Sequence, residues 1–388
     1  MKKAIVFGIG NNFKTHESYL QEKYDIVAYV DNNTSKHGSD IGCSNRIMPP
    51  KTILDIDYDT VIVTPDRAIY EIIRTQLLEM GVQADRIMGL TEIEVEHGLQ
   101  QYRSIFGQYS RQKNAKLISS ICRPTDLESI TEWKDSLRGI RQGNMAIDES
   151  SKEYIHNRKT WEFIYISQVL KERGMLGEGM KGLGFACGKE PLPSIFACHG
   201  CTITATDAQS EISGEGWRKT NQHSDSCSDL FYAHIVDQER FARNVTFRYV
   251  DMNSIPDDER DYDFIWSACA LEHLGSIHAA KDFIYKAMNC LKPGGVAVHT
   301  MEFNLTSSFD TLHRGNVSVL RSIDLIEIAE NLAWQGHRIE PLDFRLDGSA
   351  KDNFVAYPPY IEPHFKMLME KLIITSFGLI VYNGKKAA

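Results

Sequence analysis

No window of this sequence approaches the roughly 18 uninterrupted apolar residues of a membrane-spanning helix, so none is expected. A basic excess is also missing. Lys and Arg number 43 against 52 Asp and Glu, a formal net charge of −9, which argues against broad binding to nucleic acid or an anionic membrane. There is no acidic tail, no basic arm and no low-complexity tract. The apolar start Ala4–Phe7 is too short for an export signal and runs into a glycine turn. Eight cysteines without regular spacing then read as reduced thiols of a cytoplasmic protein. The one close pair, Cys198 and Cys201, encloses His199 and lacks the second ligand pair of a structural zinc site, so both are expected as small packing residues. Glu302, His273 and His364 are metal-ligating residue types, but such residues recur throughout the chain and no metal is expected.

What is present suffices for more than one domain. The 388 residues are 42% hydrophobic and 24% charged, ordinary for a folded protein with a sizeable core. Residues 1–91 alternate strand and helix signals: strands at Lys3–Phe7, Asp25–Val30, Thr60–Thr64 and Arg86–Leu90, and a 3.6-residue period over Ile69–Met80. That rhythm implies right-handed crossovers and a parallel, Rossmann-like sheet. Residues 92–150 are polar and helical in tendency, a connector. From 151 to 388 the alternation restarts on a larger scale. Seven strands are expected there, at Met180–Phe185, Thr202–Thr206, Val245–Val250, Tyr262–Trp266, Val296–Thr300, His337–Phe344 and Ser376–Tyr382. The fold class is therefore α/β with two Rossmann-like domains.

Each domain carries a glycine turn after its first strand and an acid closing its second. In the larger domain Gly182, Gly184 and Gly188 sit where backbone can approach a ligand, and Asp207 is placed to grip ribose hydroxyls. Asp251 and Met252 end the third strand, where an acid accepts from an adenine amine. The fourth strand leads through Ser267 to Glu272 and His273, and Leu291-Lys-Pro-Gly-Gly295 precedes the fifth. These ordered marks resemble the class I S-adenosylmethionine-dependent methyltransferases, over about residues 153–388.

The resemblance implies a seven-stranded sheet with an antiparallel last strand. It also implies S-adenosylmethionine as cofactor, held by Gly182, Gly184, Gly188, Asp207, Asp251, Met252 and Ser267. Methyl transfer to a hydroxyl needs mainly positioning and a base, for which His273 is the candidate with Glu272 as an orienting carboxylate. Trp217, Gln222 and His223, Glu302, and Tyr360 with His364 lie in stretches expected as loops whose aromatic and polar groups suit a sugar or other polyol acceptor.

In the smaller domain Gly8, Gly10 and Asp31 begin like a dinucleotide fingerprint, although Phe13 stands at the third glycine position. The stretch resembles small Rossmann-like modules attached to bacterial polysaccharide- and sugar-modifying enzymes, which implies a nucleotide or nucleotide-sugar ligand or a role in assembly. The expected function is thus methyl transfer to a sugar, nucleotide-sugar or glycan hydroxyl in surface-polysaccharide biosynthesis, with oligomeric state open. Two alternatives stand beside it: a nicotinamide-dependent sugar oxidoreductase using the first glycine loop, and a non-catalytic nucleotide-sensing scaffold.

Overall fold

The computed structural model describes residues 1–41, 46–65, 67–107, 120–138, 157–209, 223–313, 317–347, 349–358, 360 and 364–384. The chain divides into two compact units, Met1–His97 and Gly98–Ala388. In the first, β1 (Lys2–Phe7) and α1 (Asn11–Lys23) are followed by β2 (Tyr24–Val30), β3 (Ile47–Met48), β4 (Thr60–Val63), α2 (Arg67–Glu79) and β5 (Ile87–Gly89). The five strands are parallel in the order β3-β2-β1-β4-β5.

Strand β1 is apolar on both faces because helices cover both sides of a parallel sheet. Ile5 and Phe7 join Val61, Val63 and Leu77 on one side, and Ala4 and Val6 join Leu20 and Ile62 on the other. Phe13 does not crowd the glycine turn: it is buried and packs edge-on against Tyr29. Only β3 was unforeseen, a two-residue strand just before Pro49.

α3 (Leu90–Phe106) crosses the division in sequence, and α4 (Pro124–Ser129) follows. The connector expected at 92–150 falls on these two helices and on residues outside the described ones. α5 (Arg158–Glu172) then opens the larger sheet, its first turn capped by the Asn157 side chain, which accepts from Thr160 N at 2.9 Å. Next come β6 (Lys181–Phe185), α6 (Leu192–Cys198), β7 (Thr202–Asp207), α7 (Gln238–Asn244), β8 (Val245–Tyr249), β9 (Tyr262–Ala268), α8 (Ile277–Ala287) and β10 (Leu291–Asn304). α9 (Ser322–Trp334), β11 (Arg338–Ile339), β12 (Met367–Met369) and β13 (Leu372–Tyr382) complete the chain. No helix among the described residues is long and apolar enough to cross a membrane.

The order is β11-β13-β10-β9-β6-β7-β8, with β12 paired to β13, making eight strands rather than seven. The eighth is a short hairpin partner, Met369 facing Leu372 across a turn in which Glu370 has φ +54. Its Met-rich composition gives no β-branched signal. The last strand is antiparallel, as expected: β13 runs against β10 from Val296↔Tyr382 to Asn304↔Ile374. That long pairing holds Met301–Asn304, expected as a loop, in strand conformation. The strand expected over His337–Phe344 shrinks to two residues. Cys201 is buried, whereas Cys198 is exposed and is not a packing residue.

Candidate active site

Parallel strands β6, β7, β8 and β9 all end at one edge of the larger sheet, where α/β folds bind ligands. A cavity of about 300 Å³ opens there. Its walls bring together Gly188, Asp207, His223, Asp251, Met252 and His273, contributed by segments far apart in sequence. Two wall residues take left-handed backbone without being glycine: Ala186 at φ +49 and Cys269 at φ +53. Such conformations are costly and cluster at functional sites.

Asp207 is 7% exposed, and its carboxylate ties together the backbone of that wall of the cavity. Oδ2 accepts from Gly188 N and Ser224 N, both at 3.2 Å, and Oδ1 from Ala208 N at 2.8 Å. His223 Nδ1 lies 3.4 Å from Oδ2, and its Nε2 lies 3.2 Å from Asp225. Burial pushes the Asp207 carboxyl above its usual range despite these donors and His223. His223, expected at the acceptor, is thus seated beside Asp207 instead. Asp251 accepts from Asn253 N at 2.8 Å, and the neighbouring Met252 is 5% exposed.

Three residues expected to touch cofactor are placed otherwise. Gly182 and Gly184 pair with Phe264 and Trp266 on β9, and any side chain at either glycine would enter those aromatic rings. They are packing glycines, and neither lines the cavity. Ser267 is buried and shares a 2.8 Å hydrogen bond with His299 Nδ1 on β10. Burial drives that imidazole down to about 3, so His299 is neutral.

The cavity and its surroundings also hold residues that the sequence did not announce. Glu190, buried on the cavity wall, accepts from Trp266 Nε1 at 2.6 Å, and burial pushes its carboxyl up to about 8 against the pull of that bond and of Lys159. Behind Cys269 lies a buried charge cluster. Arg158 Nη1 reaches Glu162 Oε1 at 3.3 Å, Cys269 Sγ at 3.0 Å and Ser376 Oγ at 3.1 Å, and its Nη2 reaches Glu302 at 3.0 Å. Lys159 Nζ pairs with Glu162 Oε2 at 3.1 Å. Burial pushes Glu162 up, but Lys159 and Arg158 outweigh it and hold the carboxyl below its usual range. Glu302 goes the other way, because burial exceeds the pull of Arg158. Glu272 is 1% exposed, and its Oε1 lies 4.0 Å from His273 Nε2.

Of the remaining expected residues, Trp217 and Gln222 lie outside the described ones. Tyr360 is exposed and donates to Leu368 O at 2.9 Å; burial and then the charge of Glu302 raise its phenol. Neither Tyr360 nor His364 lines the cavity. In the first unit Gly8 has φ +96, and a Cβ there would sit 2.6 Å from Pro65 Cδ. Gly10 closes that turn by donating to Gly8 O at 3.2 Å. Asp31 is occupied internally: Oδ2 takes Ile9 N and Lys36 Nζ, and Oδ1 takes Asn33 N, all at 2.8 Å.

The cavity fits S-adenosylmethionine in its parts. A carboxylate ends the second strand, an acid and an apolar Met follow the third, and the turn after β6 is held by its Gly188 amide. Residues 183–299 match the family model described as "Methyltransferase domain", and residues 1–88 match one described as "C2185-like, N-terminal". No curated protein matches the chain.

Similar solved structures include a magnesium protoporphyrin IX methyltransferase from Synechocystis PCC 6803, 13% identical over 57% of this chain and 81% of that one, with a TM-score of 0.35. A TehB-like S-adenosylmethionine-dependent methyltransferase from Corynebacterium glutamicum is 14% identical over 58% and 87%, with a TM-score of 0.31. A protein assigned as a sarcosine dimethylglycine methyltransferase from Galdieria sulphuraria is 18% identical over 54% of this chain, which spans 60% of that protein's length, with a TM-score of 0.29. Residues 183–299 of this chain thus match a methyltransferase domain, for which S-adenosylmethionine is the cofactor.

Proposed function

We propose that this chain moves the methyl group of S-adenosylmethionine to a hydroxyl of a sugar, nucleotide-sugar or glycan. The observation that carries the hydroxyl is His273, on the cavity wall with the Glu272 carboxylate 4.0 Å behind its ring. The bound cofactor supplies an electrophilic methyl on a sulfonium. Asp207 would hold the ribose hydroxyls and Asp251 the adenine amine, with Met252 as the apolar contact beside it. His273 takes the proton of the acceptor hydroxyl, with Glu272 beside it as an orienting carboxylate. Catalysis is then mainly positioning, with little covalent participation by the protein. The sugar rests on a different support, the resemblance of residues 1–91 to modules of sugar-modifying enzymes; its place would be surface-polysaccharide biosynthesis.

The test is incubation of the full chain with methyl-labelled cofactor and a panel of nucleotide sugars and glycans, read by mass spectrometry. Label on a sugar oxygen, lost in H273N, is the expected result. Label on nitrogen or carbon, or transfer unchanged in H273N, overturns the reading. The nicotinamide alternative gains no support from Asp31, whose carboxylate already holds two backbone amides and Lys36.

A further inference from the structure

The charge cluster behind the cavity is incompletely balanced. Three buried carboxylates, Glu162, Glu272 and Glu302, face two half-buried cations, Arg158 and Lys159. Arg158 and Lys159 both pair with Glu162, at 3.3 and 3.1 Å, and Arg158 reaches Glu302 through Oε1. The second oxygens, Oε2 of Glu272 and of Glu302, are buried and accept no hydrogen bond. Their residues are 1% and 6% exposed. An unpartnered buried carboxylate oxygen costs free energy, and two close together also repel. Carboxylate oxygens of both, together with Cys269 Sγ, lie within 4.8 Å of one another, a separation that one ion can bridge.

We propose that Glu272 and Glu302 bind a divalent cation of the magnesium–manganese class, reached from the cavity past Cys269 and His273. The donor set selects the ion. Two carboxylates with the remaining positions left to water or an acceptor oxygen suit a small hard cation. Thiolate ligation would instead favour zinc, but Cys269 Sγ already lies 3.0 Å from the Arg158 guanidinium, which leaves the two carboxylates to do the binding. The ion supplies the positive charge the cluster lacks, and Glu302 Oε2 offers it an oxygen that Arg158 does not use. It would stand beside His273, where an acceptor oxygen arrives, and the site makes no demand on what that acceptor is.

The probe is Mn²⁺, titrated into the full chain and followed by the loss of the free-ion electron paramagnetic resonance signal, with Mg²⁺ as competitor. One Mn²⁺ per chain is expected, displaced by excess Mg²⁺. Affinity should fall roughly tenfold or more in E272Q and in E302Q, and stay within about threefold in C269S. Absence of bound Mn²⁺ at about 1 mM would overturn the proposal, as would binding that survives in the double Gln variant. Binding abolished by C269S, or displaced by Zn²⁺ but not by Mg²⁺, overturns it too, since either marks a thiolate site. The Mg²⁺ and Zn²⁺ competitions use the unmodified chain, so they discriminate the two kinds of site even if a Gln variant fails to fold. Bound metal is the readout, so failure here is distinct from failure of the hydroxyl-methylation reading.

Discussion

Replacing Asp207 by Asn removes one charge and almost no volume, which makes it the sharpest probe of the cofactor site. Both carboxylate oxygens accept from backbone, Oδ1 from Ala208 N and Oδ2 from Gly188 N and Ser224 N. An Asn amide group must therefore set its NH₂ against at least one backbone N–H. Hydrogen bonds to a charged group contribute about 1.5–3 kcal/mol each, and a ribose diol offers two. Asn keeps one acceptor oxygen, so the expected loss is about 2–3 kcal/mol, a rise in the Kd for S-adenosylmethionine of roughly 30- to 150-fold. Isothermal calorimetry measures it.

A pH series adds a second readout. Burial raises the Asp207 carboxyl, so the affinity of the native chain should fall as pH drops through that raised value, and D207N should lack this acid limb. Stability moves oppositely: a carboxyl raised in the fold contributes most when protonated and less as pH rises through its folded value. A Kd within about threefold of the native chain, with the acid limb intact, would refute the placement of ribose at Asp207.

Other perturbations separate packing, catalysis and charge. Gly184→Ala drives a methyl group into the Trp266 ring and should cost about 1–3 kcal/mol in denaturant unfolding, while cofactor affinity per folded molecule stays unchanged. A specific loss of cofactor binding would restore this glycine to the site. His273→Asn should lower kcat by about 10²–10⁴ with cofactor Kd nearly constant; a loss of binding instead would make the ring a cofactor contact. Glu190, ordinarily near 4.5, is pushed to about 8, so the fold holds an extra proton between those values and stability should fall as pH rises across them. E190Q should flatten that slope, and an unchanged slope of Tm against pH would show the carboxyl titrates normally. Lys366 has the contrary sign. Burial pulls its amine from 10.5 down to about 8, so the penalty is in full force below 8 and is relieved as pH rises toward 10.5. K366M should therefore raise Tm more at pH about 7 than at pH about 10.

The parts of the site that were legible from sequence are those lying at the ends of strands. Asp207, Asp251, Met252 and His273 each follow an apolar run, and parallel topology alone brings such ends to one edge. Gly182, Gly184 and Ser267 were misplaced because a strand residue's face depends on its neighbour as well as its position. Gly182 and Gly184 stand in register with Phe264 and Trp266, so two glycines two apart match two aromatics two apart. That is the signature of rings lying over bare backbone, and it could have been read from the sequence once β6 and β9 were taken as adjacent. Ser267 falls on the opposite face from Trp266 and Ala268 by the two-residue period, which turns it toward His299 and away from the cavity.

The charge cluster had a weaker signal. Arg158 and Glu162 have helix i,i+4 spacing, yet the same spacing describes any solvated ion pair. What sets this pair apart is that Glu162 is fully buried and that Glu302 belongs to a strand rather than a loop. The latter follows only from the length of β13, nine of whose eleven residues pair with β10, well past the edge expected for it. A strand extended by four residues turns Glu302 from a solvated carboxylate into a buried one. The need for compensating positive charge, from Arg158 and from a bound cation, is a consequence of that pairing.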